Sequence, residues 1–277
     1  MPKNMIKAAI SRRIEQRLDR AFSAPKEFGD VKAIEYLADA VAKFIDERKF
    51  DYAKTYEAFY SINRSIIPDF SINDMGRLLL KDEEFRSYFE RFSRDNWKSF
   101  ERRWNLREFL RQLVHVEGNL AECGVFEGGN AFQLCQFAQA HGREVHLFDS
   151  FEGLSAPEES DGDFWKKGDL TASEEVVRAN LAEFNCYRTF RGWIPEAFPQ
   201  AADHRYAFLH VDVDLEQPTF DSIAFFYPRM NKGGIILLDD HGYDTCPGAR
   251  KAALDFMRDK PEPVLDLSTG QGLIIKQ

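Results

Sequence analysis

Residues 119–130 read NLAECGVFEGGN. The apolar-leaning run Asn119–Cys123 predicts a strand, and Gly128–Ala140 carries a helical pattern, with a glycine-rich turn between them. Glycines at such a turn let the backbone come close to a ligand, and the helix N-terminus that follows presents free N–H groups. A dinucleotide site would ask for GxGxxG, but Phe126 stands where the middle glycine would be. A pyrophosphate would also meet Glu122 and Glu127. A ligand with a positive centre suits this turn better, and S-adenosylmethionine is one. Taken alone, the same stretch also reads as an ordinary strand-to-helix turn.

Working outward, the alternation continues. Strands are expected at Val145–Phe148 (ending on Asp149), Tyr187–Arg191, Ala207–Val213, Ile235–Leu238, Val264–Leu267 and Leu273–Ile275. Helices are expected at Ser173–Phe184, Thr219–Met230 and Pro247–Met257. Alternating strands and helices predict an α/β fold built on a doubly wound, mostly parallel sheet. The last two strands sit close enough to form a hairpin, which gives one antiparallel edge strand. Ligands in such sheets lie beyond the carboxyl ends of the strands, near the topological switch point.

Upstream of this pattern the rhythm is helical and glycine is scarce. Apolar stripes at helical spacing run through Ile34, Leu37, Val41, Phe44 and Ile45, and through Tyr52, Tyr56, Phe59 and Tyr60. Ser71 can cap a helix through Met75, Leu78 and Leu80. Further helices are marked by Phe85, Tyr88, Phe89 and Phe92, and by Trp104, Leu106, Phe109, Leu110 and Leu113. The division expected is a helical cap or oligomerisation region at 1–105 and a ligand-binding domain at 106–277. Charge follows the same division: residues 1–105 carry 21 basic and 18 acidic side chains, and residues 106–277 carry 16 and 28. The acidic half offers no basic footprint for nucleic acid, and its carboxylates suit a bound cation. No apolar run approaches a transmembrane span of about 20 residues. The basic N-terminal stretch is no secretory signal; it reads as an ordinary helix packing on the protein, with an amphipathic basic helix on a membrane surface as the alternative. The four cysteines, Cys123, Cys135, Cys186 and Cys246, form no CxxC pair and read as reduced thiols of a cytoplasmic protein.

Three more clusters follow strands. In Asp149-Ser150-Phe151-Glu152-Gly153, the strand-end Asp149 can accept hydrogen bonds from ribose hydroxyls or simply cap a turn. In Arg191-Gly192-Trp193-Ile194-Pro195, Trp193 can cover an adenine face or serve as core. The third cluster is the most informative. Residues 209–215 read LHVDVDL, and residues 234–241 read GIILLDDH. Alternation places Asp212 and Asp214 on one side if the strand persists, and Asp239 and Asp240 end the neighbouring strand. Left bare, such carboxylates repel one another; a hard divalent ion such as Mg²⁺ resolves that with oxygen ligands, and separate strand-end carboxylates held by caps and salt bridges are the other reading. His210 reads as a packed core residue. His241, Tyr243 and Asp244 follow the acidic pair and can reach the same site.

The ordered set ECGVFEGGNA, DSFEGL, RGWIPEAFP, HVDVDLEQPT and ILLDDH resembles the macrocin-type, metal-dependent O-methyltransferases, over roughly Glu117 to Met257. Those enzymes methylate hydroxyls on sugars of macrolides and related natural products. The resemblance implies a class I methyltransferase fold, S-adenosylmethionine as methyl donor and a sugar or glycosylated small molecule as acceptor. It also implies a homo-oligomer. Glu122, Gly124 and Gly128 would line the methionine end, Asp149 would hold the ribose, and Ser150 and Trp193 would lie near the adenine. Asp212, Asp239 and Asp240 would carry Mg²⁺, with Asp214 as general base. The family often has Tyr where Glu216 stands and an aromatic residue where His241 stands. Two rival readings remain at this level. Asp212-Val213-Asp214 is also a DxD of the kind that holds metal and nucleotide-sugar in one class of glycosyltransferase. A non-catalytic binding subunit on the same fold is the other.

Overall fold

The computed structural model describes residues 78–79, 81–92 and 100–277. The helical stripes expected at 34–45 and 52–60, the Ser71 cap and the basic N-terminal segment lie outside the described residues. The chain divides into two compact units between Arg91 and Phe92. Helix α1 (Glu83–Phe92) begins where Asp82 Oδ1 accepts the Phe85 N–H at 2.8 Å, with Glu83 and Glu84 in its first turn. Phe85 and Tyr88 form its buried stripe.

The second unit opens with α2 (Phe100–Arg111), ahead of the boundary expected at 105/106. The reason is packing: α2 lies against α3 (Gly129–His141), and Gln133 Nε2 donates to the Arg103 carbonyl at 3.2 Å. The sheet has seven strands: β1 (Asn119–Cys123), β2 (Val145–Asp149), β3 (Tyr187–Arg191), β4 (Tyr206–Val211), β5 (Met230–Leu238), β6 (Leu265–Asp266) and β7 (Gly272–Ile275). Their spatial order is β3-β2-β1-β4-β5-β7-β6. The first five are parallel, and β7 runs antiparallel to β5, with the two-residue β6 paired outside it. β4 is buried along its whole length because helices cover both faces, which is why it reads as a continuous apolar run. β3 lies at the edge and alternates Tyr-Arg-Thr-Phe-Arg.

Among the described residues the remaining α-helices are α4 (Glu174–Asn180), α5 (Glu216–Phe226) and α6 (Pro247–Met257), the last two packed on each other. α4 is shorter than the sequence pattern suggests. It starts at the Ser173 cap and stops where Asn180 turns its side-chain amide to the Glu127 carbonyl at 2.8 Å. α5 begins earlier than Thr219 and gives way to a 3₁₀ turn, Tyr227–Arg229, at Pro228. Beneath the sheet sits an aromatic cluster in which Phe148 stacks on Phe190 at 4.6 Å and meets Phe198 and Phe226 edge-on. Among the described residues, no helix is long and apolar enough to cross a membrane. All four cysteines are free thiols, three of them buried.

The C-terminal strand is anchored by one buried carboxylate. Glu262 accepts from Tyr227 Oη at 2.5 Å, Lys276 Nζ at 2.8 Å and the Gln277 N–H at 3.0 Å. Burial would raise its pKa, but the bonds from Lys276, Tyr227 and Gln277 lower it from 4.5 to about 2. A folded-state pKa below the unfolded one stabilises above about pH 4.5, and that contribution is lost as pH falls toward 2. Glu262→Ala is expected to cost about 3 kcal/mol at pH 7, the usual result of stranding one partner of a buried pair. Urea unfolding checks this, and the gap to wild type should narrow at pH 3.

Candidate active site

The carboxyl ends of β1 and β4 meet at the point where strand order reverses, and a cleft of about 460 Å³ opens there. Its floor is held by strand-like bonds that continue past the strands. Gly124 N–H donates to the Phe148 carbonyl, Asp212 N–H to Cys123, and Asp239 N–H to Val211, each at 2.9 Å. Gly124 has φ +82°, and a Cβ there would stand 1.9 Å from the Asp212 carbonyl oxygen. No other residue type fits this crossing.

Asp149 joins the loops after β1 and β2. Its Oδ2 accepts the N–H groups of Val125 and Phe126 at 2.7 and 3.2 Å, and its Oδ1 accepts that of Phe151 at 2.7 Å. Phe126 and Phe151 both have positive φ, so these bonds sustain backbone that would otherwise relax. Burial raises the Asp149 pKa, with the three N–H bonds offsetting part of that. A carboxylate has about four acceptor positions, so these three bonds take up most of its capacity, while Asp149 still lines the cleft. Ser150 lines the cleft, but its hydroxyl donates to the Gly153 carbonyl and accepts the Glu152 N–H, both at 3.0 Å. Trp193 lines the cleft beyond Gly192, whose N–H binds the Asp149 carbonyl at 3.0 Å.

Two residues expected at the methionine end stand behind the wall instead. Glu122 is fully buried and its Oε1 lies 2.9 Å from His210 Nδ1. Gly128 takes φ +87° ahead of α3, with its α-carbon turned toward Val177 and Leu181. The wall nearby is formed by Gly129, Asn130 and Arg103. Arg103 passes close to Gly129, and its Nη1 donates to the Phe92 carbonyl at 3.0 Å.

The acidic cluster does assemble. One ligand oxygen from each of Asp212, Asp239 and Asp240 lies within 4.8 Å of the others. Asp212 Oδ2 accepts from Asn130 Nδ2 at 3.3 Å. Asp240 Oδ2 accepts the Asp214 N–H at 3.1 Å. Asp239 faces inward: Gln271 Nε2 donates to its Oδ1 at 2.9 Å, and His210 Nε2 lies 3.5 Å from the same oxygen. Burial alone would lower the His210 pKa, but Asp239 and Glu122 raise it to about 10, so the imidazole is protonated at neutral pH. Asp214 is reached by a turn rather than by strand alternation. β4 ends at Val211, Asp214 has φ +60°, and Leu215 N–H closes back on the Val213 carbonyl at 2.6 Å. This strained residue lines the cleft, with Cys246 Sγ 3.6 Å from its Oδ1. Burial, then Asp240 and Asp214, raise the Cys246 pKa, so it remains a thiol.

Three participants are invisible to strand-end reasoning. Arg102 from α2 is buried, and its Nη2 donates to Asp239 Oδ2, to the Asp239 carbonyl at 3.1 Å and to Asp240 Oδ1 at 3.4 Å. Its guanidinium carbon lies 4.5 Å over the Tyr243 ring. Burial would lower its pKa, but Asp239, Asp240 and Asp212 raise it above its ordinary value. Phe164 and Trp165, from the segment after β2, also line the cleft, and Trp165 Nε1 donates to Cys246 Sγ at 3.3 Å. His241 and Glu216 stay out of the cleft, paired with Asp266 and with Lys251 respectively.

The strand order, the single antiparallel strand beside β5 and a crevice at the switch point define the class I methyltransferase fold. Residues 100–266 match the macrocin-O-methyltransferase (TylF) family, and the chain belongs to that family. It is 32% identical over 148 residues to an 8-demethyl-8-(2,3-dimethoxy-α-L-rhamnosyl)-tetracenomycin-C 4′-O-methyltransferase of Streptomyces olivaceus, covering 48% of this chain and 57% of that one. It is 30% identical over 168 residues to a demethyldecarbamoylnovobiocin O-methyltransferase of Streptomyces niveus, covering 55% and 63%. The chain thus spans about three-fifths of the length of these relatives. Among solved structures, the O-methyltransferase NovP superposes with a TM-score of 0.55 at 26% identity, covering 65% of this chain and 81% of that one.

Proposed function

We propose that this chain moves the methyl group of S-adenosylmethionine to a hydroxyl of a sugar carried by a glycosylated small molecule. The observation that carries the reading is the position of Asp214, a buried carboxylate on a positive-φ turn after β4 that lines the same cleft as the glycine turn after β1. S-adenosylmethionine, when bound, supplies an electrophilic methyl. Gly124, Asp149, Ser150 and Trp193 are the residues proposed to receive it, with Arg103 and the α3 N-terminus suited to its carboxylate. Glu122 and Gly128 support that wall from behind.

Asp212, Asp239 and Asp240 fit a hard divalent ion in donor chemistry, each offering an oxygen within 4.8 Å of the others. Mg²⁺ held there would lower the pKa of an acceptor hydroxyl. Asp214 takes the hydroxyl proton as general base, and its backbone bond to Asp240 fixes where that carboxylate points. Phe164 and Trp165 exclude water and present apolar faces to the acceptor. Holding hydroxyl and donor in line supplies much of the acceleration. The same reading takes in a cytoplasmic homo-oligomer, for which the free, mostly buried cysteines and the family membership are the support.

The test is transfer of labelled methyl from S-adenosylmethionine to a panel of rhamnosylated and other glycosylated acceptors, with EDTA or with added Mg²⁺. Label in the acceptor, lost in EDTA and restored by Mg²⁺, is the expected result. Turnover unchanged in EDTA would remove the metal from the reading. No transfer to any sugar hydroxyl, with S-adenosylhomocysteine failing to bind, would remove the whole of it.

A further inference from the structure

The carboxylates of Asp212, Asp214 and Asp240 line the cleft, that of Asp239 is buried beside them, and the cation in contact with Asp239 and Asp240 belongs to the protein. Arg102 reaches across from α2, 137 residues away in sequence, and places Nη2 against both Asp239 and Asp240. The contact is built rather than incidental. The Arg102 side chain is 6% exposed and those of its partners are 2% and 9% exposed. Tyr243 lies under the guanidinium. Gln271 holds both sides of the pair, since its Nε2 donates to Asp239 Oδ1 at 2.9 Å and to the Arg102 carbonyl at 3.4 Å. Burying so many acids without a compensating cation is costly, and Arg102 supplies part of that compensation inside the fold.

Resting on the reading that Asp212, Asp239 and Asp240 take a divalent ion, we propose that Arg102 is the resident counter-ion of the Asp239–Asp240 pair. A divalent ion and the Arg102 guanidinium exclude each other from it. The argument is geometric and electrostatic. An ion ligated by these oxygens at about 2.1 Å would stand within a few ångströms of a guanidinium hydrogen-bonded to the same oxygens. Two cations that close repel strongly in a buried site. Metal loading therefore requires the guanidinium to withdraw from these oxygens. Arg102 thus acts as a positioning residue with two effects. It keeps the acidic wall folded while the ion is away, and it sets the concentration at which the ion enters.

The test measures metal affinity on the full chain, without turnover. Mn²⁺ binding is followed by electron paramagnetic resonance and Mg²⁺ binding by calorimetry, for wild type, Arg102→Gln and Arg102→Lys. S-adenosylhomocysteine binding reports that each variant is folded. Competition predicts Mn²⁺ affinity about tenfold or more higher in Arg102→Gln, within the usual range of a coupling between two sites. Arg102→Lys should fall between, because it keeps a point charge and loses the fork. It also serves as the working variant should Arg102→Gln fail to fold. The gain must vanish when Asp212→Asn is added. Equal or weaker Mn²⁺ binding in folded Arg102→Gln would overturn the proposal and leave the metal reading standing. Absence of binding in all three proteins, with S-adenosylhomocysteine still bound, would remove the metal reading and this inference together.

Discussion

Replacing Asp214 by Asn is expected to lower kcat by about 10²- to 10⁴-fold, the usual contribution of a general base. That corresponds to about 3–5 kcal/mol of transition-state stabilisation. Asn is close to isosteric with Asp and adopts positive φ more readily than most residues, so the turn through φ +60° should survive. The backbone bond to Asp240 Oδ2 does not involve the side chain and is retained. Binding of S-adenosylhomocysteine and thermal stability should therefore stay near wild type while turnover collapses. Steady-state kinetics together with a calorimetric titration separate the two effects. A kcat within tenfold of wild type would remove Asp214 from the chemistry.

The second large effect is expected from Gly124→Ala. One added carbon would stand 1.9 Å from the Asp212 carbonyl oxygen, and Gly124 also has φ +82°. Neither conflict can be relieved by a side-chain rotation, since both neighbours are backbone. The strained dihedral costs about 1–3 kcal/mol, and the clash adds to it. The loop after β1 must then lift off the end of β4, breaking the Asp212 N–H bond to Cys123. A loss of about 3 kcal/mol or more corresponds to a fall of roughly 6–12 °C in Tm for a unit of this size. Differential scanning calorimetry reads the fall, and cofactor titration should show binding lost in whatever remains folded. A Tm within 2 °C of wild type would show that the crossing of β1 and β4 tolerates what its geometry forbids.

Much of the site was legible because a parallel sheet puts the carboxyl end of every strand at one edge. Asp149, Asp212, Asp214, Asp239 and Asp240 each follow a strand, so reading the strands was enough to place them near one another. Gly124 was legible for a different reason, since a glycine between strand and helix marks a close backbone approach. Asp212 and Asp214 both line the cleft, but the condition for alternation, a strand that persists to Asp214, is not met. Strand alternation stops at Val211, and a three-residue turn aims Asp214. Glu122 could not be placed from sequence because whether a strand residue faces a ligand or a neighbour depends on what lies opposite. Here it is His210, across the β1–β4 pair.

By itself the sequence determined the order of strands and helices, the parallel sheet with its reversed last strand, and the line of carboxylates along its carboxyl edge. Hydrophobic periodicity and turn chemistry are local signals, and they suffice for that much. Only the tertiary structure decided how those charges are shared. It spends most of Asp149 on three backbone N–H groups, buries Glu122 and Asp239 on either side of a protonated His210, and brings Arg102 from a preceding helix into the acid pair. Such pairings join residues up to 138 positions apart. They are fixed by the electrostatic cost of leaving a buried charge uncompensated, which no local pattern records.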